Sequence, residues 1–127
     1  MVKPFEPFQI GETTLTPLPV QHGRAAVLGY LMEREGRALA AYLSDCKEIG
    51  DAVAERIRGV EVLIVDALRH RLHPTHMTVA EALAFAERVQ PGATWFTHLC
   101  HELGHAETEA ALPPGVRIAY DGLRLLP

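Results

Sequence analysis

Histidine is the residue type in this chain with the greatest capacity for chemistry. The sequence contains seven histidines, and six of them lie between His70 and His105. Imidazole is the commonest metal ligand in proteins, and it is also the side chain whose protonation changes near neutral pH. The clustering therefore predicts a metal site or an acid–base site.

Several of these histidines, together with aspartates, come directly after segments with the pattern of strands. They are His22, Asp45, Asp66 and His98, with His70, His73 and His76 in the loop beyond Asp66. In α/β sheets, binding groups collect beyond the carboxyl ends of the strands. Imidazoles combined with carboxylates suit zinc, manganese or iron, and paired metals bridged by a carboxylate activate water. The pattern predicts a divalent-metal site with hydrolytic chemistry.

Each candidate residue also has a simpler interpretation. His22 can be an ordinary turn histidine, and Asp45 can cap the helix that is predicted to start near residue 49. His98 can hydrogen-bond to backbone at a strand end, and His76 can be a solvated loop residue. The other two histidines of that loop are expected to be solvated.

Hydrophobic periodicity predicts the elements that must position these residues. Strands are predicted over residues 13–20, 25–32, 37–43, 62–65, 93–97, 116–120 and 123–126. Helices are predicted over 49–60 from apolar residues three or four apart, from a capping box at Thr78 to about residue 89, and over 102–112. Pro17 and Pro19 favour an edge strand or a strand end. The order predicts an α/β layer fold with a mixed sheet, in one domain spanning residues 1–127.

Composition argues against several classes of protein. Twelve Lys and Arg against sixteen Asp and Glu give a net charge of -4, which argues against binding nucleic acid by phosphate neutralisation. No apolar run approaches the roughly 20 residues of a membrane-spanning helix, and the first residues lack the apolar core of a secretory signal. The two cysteines, Cys46 and Cys100, do not form a disulfide framework. These features predict a soluble cytoplasmic protein without a membrane partner.

Five short segments in order along the chain carry a family resemblance. They are residues 17–23 (PLPVQHG), 29–30 (GY), 42–45 (YLSD), 97–101 (THLCH) and 120–122 (YDG). Together they resemble the second half of metallo-β-lactamase-fold hydrolases. The similarity is greatest to the phosphodiesterases that resemble phosphoribosyl 1,2-cyclic phosphate phosphodiesterase, followed by the tRNA 3′-processing nucleases.

The resemblance implies a fold, a cofactor and a set of roles. The fold would be half of an αββα sandwich, a mixed sheet with helices on one face. His22 would bind a first divalent metal, Zn or Mn, His98 a second, and Asp45 would bridge the two. His76 would be a catalytic residue that is not a ligand, contacting the phosphate or protonating the leaving group of a small phosphodiester. Two further residues, Asp66 and His101, would orient the ligands.

One motif of the family is absent from the sequence. The family signature HxHxDH, which supplies four metal ligands, occurs nowhere in these 127 residues. We therefore expect an incomplete site and weak catalysis in the isolated chain. We also expect either an N-terminal half supplied separately or a homodimer in which a second copy covers the open face of the sheet. The alternative is a non-catalytic remnant that keeps the half-fold and self-associates.

A competing motif lies at residues 101–105, which read HELGH. On a helix, HExxH places two imidazoles on one face to bind zinc, with the glutamate as general base, as in zincin metalloproteases. No histidine follows His105 to act as the third ligand, and only 22 residues follow it. Residues 95–97 also have the pattern of a strand where a zincin helix should already be running. The protease interpretation is the weaker alternative.

Overall fold

The chain forms one seven-stranded sheet in which every strand lies beside its neighbours in sequence. The computed structural model describes residues 1–126; Pro127 lies outside the described residues. The strands are β1 (Phe8–Ile10), β2 (Thr13–His22), β3 (Ala25–Arg34), β4 (Arg37–Leu43), β5 (Val62–Asp66), β6 (Ala93–Thr97) and β7 (Val116–Ile118). The predicted mixed sheet is confirmed, since β1 to β4 pair antiparallel and β4 to β7 pair parallel.

Local sequence explains the change from antiparallel to parallel pairing. The turn between β3 and β4 consists of Glu35 and Gly36, both with positive φ (52° and 74°), as tight two-residue hairpins require. After β4 the chain crosses over through helices, which parallel strands need for their connections. Pro17 and Pro19 lie beyond the part of β2 that pairs with β1. They therefore occupy an open strand edge, where a missing N–H costs no ladder hydrogen bond.

Three helices cover one face of the sheet: α1 (Asp51–Arg56), α2 (Val79–Val89) and α3 (His105–Ala111). The predicted cap of α2 is present, because Thr78 Oγ1 accepts a hydrogen bond from the Glu81 N–H at 3.1 Å. The carboxylate of Glu81 pairs instead with Lys47 Nζ at 2.7 Å. With at most 11 residues, none of the helices within residues 1–126 is long and apolar enough to cross a membrane.

The two faces of the sheet differ in burial. On the covered face, Leu31, Ala41 and Leu63 lie side by side and are fully buried in the core beneath the helices. On the opposite face, one row of large side chains crosses four strands at matched register: Tyr30, Tyr42, Ile64 and Trp95. We call these four the open-face row. Tyr42 is 41% exposed and the other three are partly buried, so this largely aromatic row is not covered by a helix. Its neighbour on β7 is Arg117, whose guanidinium lies over the Trp95 ring.

Several sequence predictions differ from the structure. The helix predicted over 49–60 spans only Asp51–Arg56, and the strand predicted over 116–120 spans only Val116–Ile118. The strand predicted over 123–126 is wrong, because β7 is only three residues long and ends before the turn at Asp121 and Gly122, leaving no partner to pair with. The helix predicted from 102 begins at His105, since residues 101–104 form a turn. Strand β1 was not predicted, because three residues are too few to show a period of two.

Candidate metal centre

The candidate residues lie at one edge of the sheet. His22 is the last residue of β2 and Asp66 is the last residue of β5. Asp45 and His98 follow β4 and β6 by two residues and one residue, respectively. Strands β2, β4, β5 and β6 all run in the same direction, because β2 and β4 are both antiparallel to β3. Their carboxyl ends therefore meet, as the sequence predicted.

Five of the predicted site residues are linked by a chain of pairwise contacts. His22 Nε2 lies 3.2 Å from His76 Nε2, and His76 Nδ1 lies 2.9 Å from Asp66 Oδ2. His98 Nε2 lies 3.1 Å from Asp45 Oδ1, and the His76 and His98 rings stack at 4.7 Å between centroids. Two overlapping groups have ligand atoms within 4.8 Å of one another: His22, Asp45 and His76, and Asp66, His76 and His98.

Asp66 and His76 form the buried part of the cluster. The Asp66 side chain is fully buried, and that of His76 is 11% exposed. Burial raises the pKa of the Asp66 carboxyl above its ordinary value, against the opposing hydrogen bond and charge of His76. When Nδ1–H of His76 donates to Asp66, Nε2 of the neutral ring carries a lone pair that faces His22 Nε2. The second Asp66 oxygen, Oδ1, is buried without a hydrogen-bond partner among the described residues.

Asp45 and His98 are the exposed part of the cluster and have unusual backbones. Their φ values are 54° and 63°, in the left-handed region that residues other than glycine seldom adopt. Such residues collect at functional sites, where the fold holds a conformation that costs on the order of 1–3 kcal/mol. Asp45 does not cap the following helix, because the N-cap of α1 is Gly50, so that simpler interpretation is excluded.

His101 is not brought to the cluster. It lies exposed in the turn before α3 and belongs to neither ligand group. The neighbouring Glu102 forms an ion pair with Arg71, and His105 Nε2 lies 3.2 Å from Glu109 on its own helix. HExxH therefore lies across a turn and a helix start, and its two imidazoles do not share a helix face. This geometry contradicts the zincin interpretation.

Sequence reasoning missed the position of His73. Instead of being simply solvated, its ring lies 5.0 Å from that of His76 between centroids. The side chain is half-buried, and its Nδ1 accepts a hydrogen bond from the Thr75 N–H at 3.2 Å. The spacing of His73 and His76 in an irregular loop gave no signal for this contact, because only helices and strands have a period from which a shared face can be inferred.

Cys46 lies beside the buried carboxylate and should be unreactive. Burial, with the charge of Asp66 as a second cause, raises the pKa of the Cys46 thiol to about 12, whereas Cys100 is only partly buried. Since the thiolate is the reactive form, we expect one thiol of the native chain to react with a disulfide reagent at mildly alkaline pH, and two after denaturation. Cys100→Ser is the control and should leave no fast-reacting thiol. Rapid labelling of Cys46 in that variant would contradict the burial.

Comparison with known proteins agrees with this geometry. A family model described as the Beta-lactamase superfamily domain matches residues 1–99. An octanoyltransferase from Porphyromonas gingivalis is 33% identical over 127 residues, which cover 98% of this chain and 25% of that protein. This protein is therefore similar to only a quarter of that relative.

Solved structures extend the similarity to the fold. A diphosphatase from the PhnP family is 40% identical, with a TM-score of 0.88 over 95% of this chain and 46% of that one. The metallo-β-lactamase-fold protein YhfI from Bacillus subtilis is 22% identical, with a TM-score of 0.79 over 95% of this chain and 52% of that one. At this identity, the similarity supports a shared fold and says nothing about activity. This chain thus spans about half the length of these two structures. The family match and the shared sheet together show that the chain belongs to the β-lactamase superfamily domain family and has the fold of the metallo-β-lactamase hydrolases.

Proposed function

We propose that the protein is a divalent-metal-dependent hydrolase of phosphodiester bonds. The observation that carries the proposal is the convergence of three imidazoles and two carboxylates at the carboxyl ends of four strands. The likeness to a diphosphatase supports phosphorus–oxygen chemistry, because that relative is 40% identical over most of this chain. Among the described residues, no other cluster of at least three His, Cys, Asp or Glu residues brings its ligand atoms this close.

The donor set fits zinc or manganese. We assign His22, Asp45 and His98 as ligands, with Asp45 placed between the other two by its contact with His98 and its proximity to His22. Imidazole and carboxylate are the donors that these metals share. The unpartnered Oδ1 of Asp66 is a further sign that the cluster has unused capacity to bind. A bound divalent metal would supply an activated water and a Lewis acid.

His76 has the surroundings of a general acid. Asp66 Oδ2 accepts a hydrogen bond from Nδ1–H of His76, with 2.9 Å between Nδ1 and Oδ2. This bond fixes the ring, and the carboxylate stabilises the imidazolium when Nε2 also carries a proton. That Nε2 faces the cluster, where it can give its proton to the leaving oxygen of a phosphodiester. Because Asp66 is fully buried, solvent does not compete for the hydrogen bond that orients the ring.

The open-face row indicates how the fold is completed. Its large apolar side chains lie on the face without helices, and a soluble monomer seldom leaves such a patch uncovered. We propose that the isolated chain forms a homodimer, with the open face of a second copy packed on this one. A symmetric contact presents the same patch from both partners. In a longer protein, an N-terminal half would occupy the same face and supply the HxHxDH ligands.

Metal binding tests the ligand assignment. We expect Asp45→Ala and His98→Ala to weaken zinc binding about tenfold or more, as loss of a donor from a small set requires. His76→Gln should retain the metal, because His76 is assigned to proton transfer. The matched control is His101→Ala, an exposed histidine outside the cluster. Zinc affinity measured by competition with a chromogenic chelator decides the assignment, which fails if His101→Ala weakens binding as much as His98→Ala.

Hydrolysis of bis-(p-nitrophenyl) phosphate tests the reaction. In the zinc- or manganese-loaded protein, we expect His76→Gln to lower kcat by about 10²–10⁴, the usual size of general acid–base catalysis. Asp66→Asn should act in the same direction, because it removes the charge that stabilises the imidazolium. A metal-loaded wild-type protein with no turnover above that of the free metal would exclude the enzymatic proposal and favour the non-catalytic remnant.

Sedimentation velocity tests the partner. We expect the wild-type chain to sediment as a dimer at micromolar concentration, and Tyr42→Lys to shift it towards monomer, since a charge in the centre of the contact would be buried without a partner. Leu72→Lys is the control, because Leu72 is 78% exposed in the loop between β5 and α2 and is not part of the open-face row. A monodisperse wild-type monomer would refute the homodimer.

A further inference from the structure

The loop between β5 and α2 is braced although it has no regular structure. The guanidinium of Arg69 donates to the carbonyl oxygens of Arg71 and Leu72, at 3.2 and 2.8 Å. Arg71 in turn pairs with Glu102. A backbone hydrogen bond also connects the two ends of the loop, where the Leu68 N–H donates to the Met77 carbonyl oxygen at 2.9 Å. A loop tied at this many points holds its side chains in fixed positions, as recognition of a ligand requires.

His73 has a defined tautomer in this loop. Its Nδ1 accepts the Thr75 backbone N–H at 3.2 Å and lies 3.4 Å from Thr75 Oγ1. A neutral imidazole that accepts at Nδ1 must carry its proton on Nε2. The neutral form is favoured, because partial burial, followed by the positive charge of Arg69, lowers the pKa of His73. His73 Nε2–H has no hydrogen-bond partner among the described residues.

The turn that carries His22 also positions His73. Gly23, with φ of +58°, lies so close to Thr75 that a Cβ at this position would be 2.9 Å from Thr75 Cγ2. The β2–β3 turn therefore packs directly on the residue that fixes His73. His22, His73 and His76 are thus held by one set of contacts, with His73 5.0 Å from His76 and His22 4.7 Å from His76 between ring centroids.

We propose that His73 is a substrate-binding residue of this site, whose Nε2–H donates a hydrogen bond to a phosphoryl oxygen of the ligand. The inference rests on the proposed function, since it requires a phosphate group over the cluster. His73 belongs to neither metal group, and a nitrogen that carries a proton cannot donate a lone pair to a metal. A neutral donor beside the cluster binds a phosphoryl oxygen without adding a charge that would repel the metals.

The first arm of the test measures the tautomer in the metal-free chain. Long-range ¹H–¹⁵N correlation spectra of uniformly labelled protein, at a pH where the ring is neutral, should show His73 protonated at Nε2. The His73 signals are assigned by their loss in His73→Gln. A ring protonated at Nδ1 overturns the inference whether or not the protein binds metal.

The second arm measures binding of inorganic phosphate to the zinc-loaded chain. We expect His73→Ala to raise the phosphate dissociation constant about tenfold or more, the usual effect of losing a hydrogen bond to a charged group. His73→Gln, which keeps an N–H donor at the ε position, should restore most of the affinity. Leu72→Ala, in the same loop, is the matched control and should bind phosphate normally.

The outcomes separate the inference from the proposed function. Unchanged zinc affinity with unchanged phosphate affinity in His73→Ala overturns the role of His73 and leaves the metal site intact. Loss of zinc binding in His73→Ala also overturns it, because the residue would then support the metal. Failure of the wild-type chain to bind zinc overturns the proposed function, and the substrate role of His73 with it.

Discussion

The hydrogen bond between Asp66 and His76 joins the central parallel strands to the loop between β5 and α2. Asp66 is the last residue of β5, which lies between β4 and β6, and its carboxylate is fully buried. A buried carboxylate costs several kcal/mol unless it is paired. His76 provides that pairing and is thereby drawn from the loop into contact with His22 and His98. Of the remaining contacts, those with the rings of His22 and His98 are made by this one fixed imidazole, and the contact between His98 and Asp45 is separate.

Unfavourable backbone conformations also occur at the same edge of the sheet. Asp45 and His98 both have left-handed backbones, and their side chains meet at 3.1 Å. Gly23 has the same handedness and leaves room for Thr75. Two residues other than glycine thus have left-handed backbones within one cluster, as occurs at functional sites where the surrounding fold holds a strained conformation.

The sequence predicted the regular part of the molecule well, for identifiable reasons. The apolar run from Val62 has the pattern of a strand buried on both faces, and Thr78 marks a helix start, so β5 and α2 were located closely. His22, Asp45 and His98 were predicted to share a site because each comes directly after a segment with the pattern of a strand. The contact of His73 with His76 was not predictable, since it depends on loop backbone angles and on tertiary contacts with the β2–β3 turn.

The chain order of the strands has a consequence for assembly. Every strand pairs with the one made just before it, so the antiparallel hairpins β1–β4 close short loops and the parallel strands then add one at a time. Contacts between segments near in sequence form fastest, because little chain entropy is lost in closing them. His98 follows β6, so it is the last of the five cluster residues to be synthesised, after His22, Asp45, Asp66 and His76. The cluster can therefore be completed only after β6 has paired with β5.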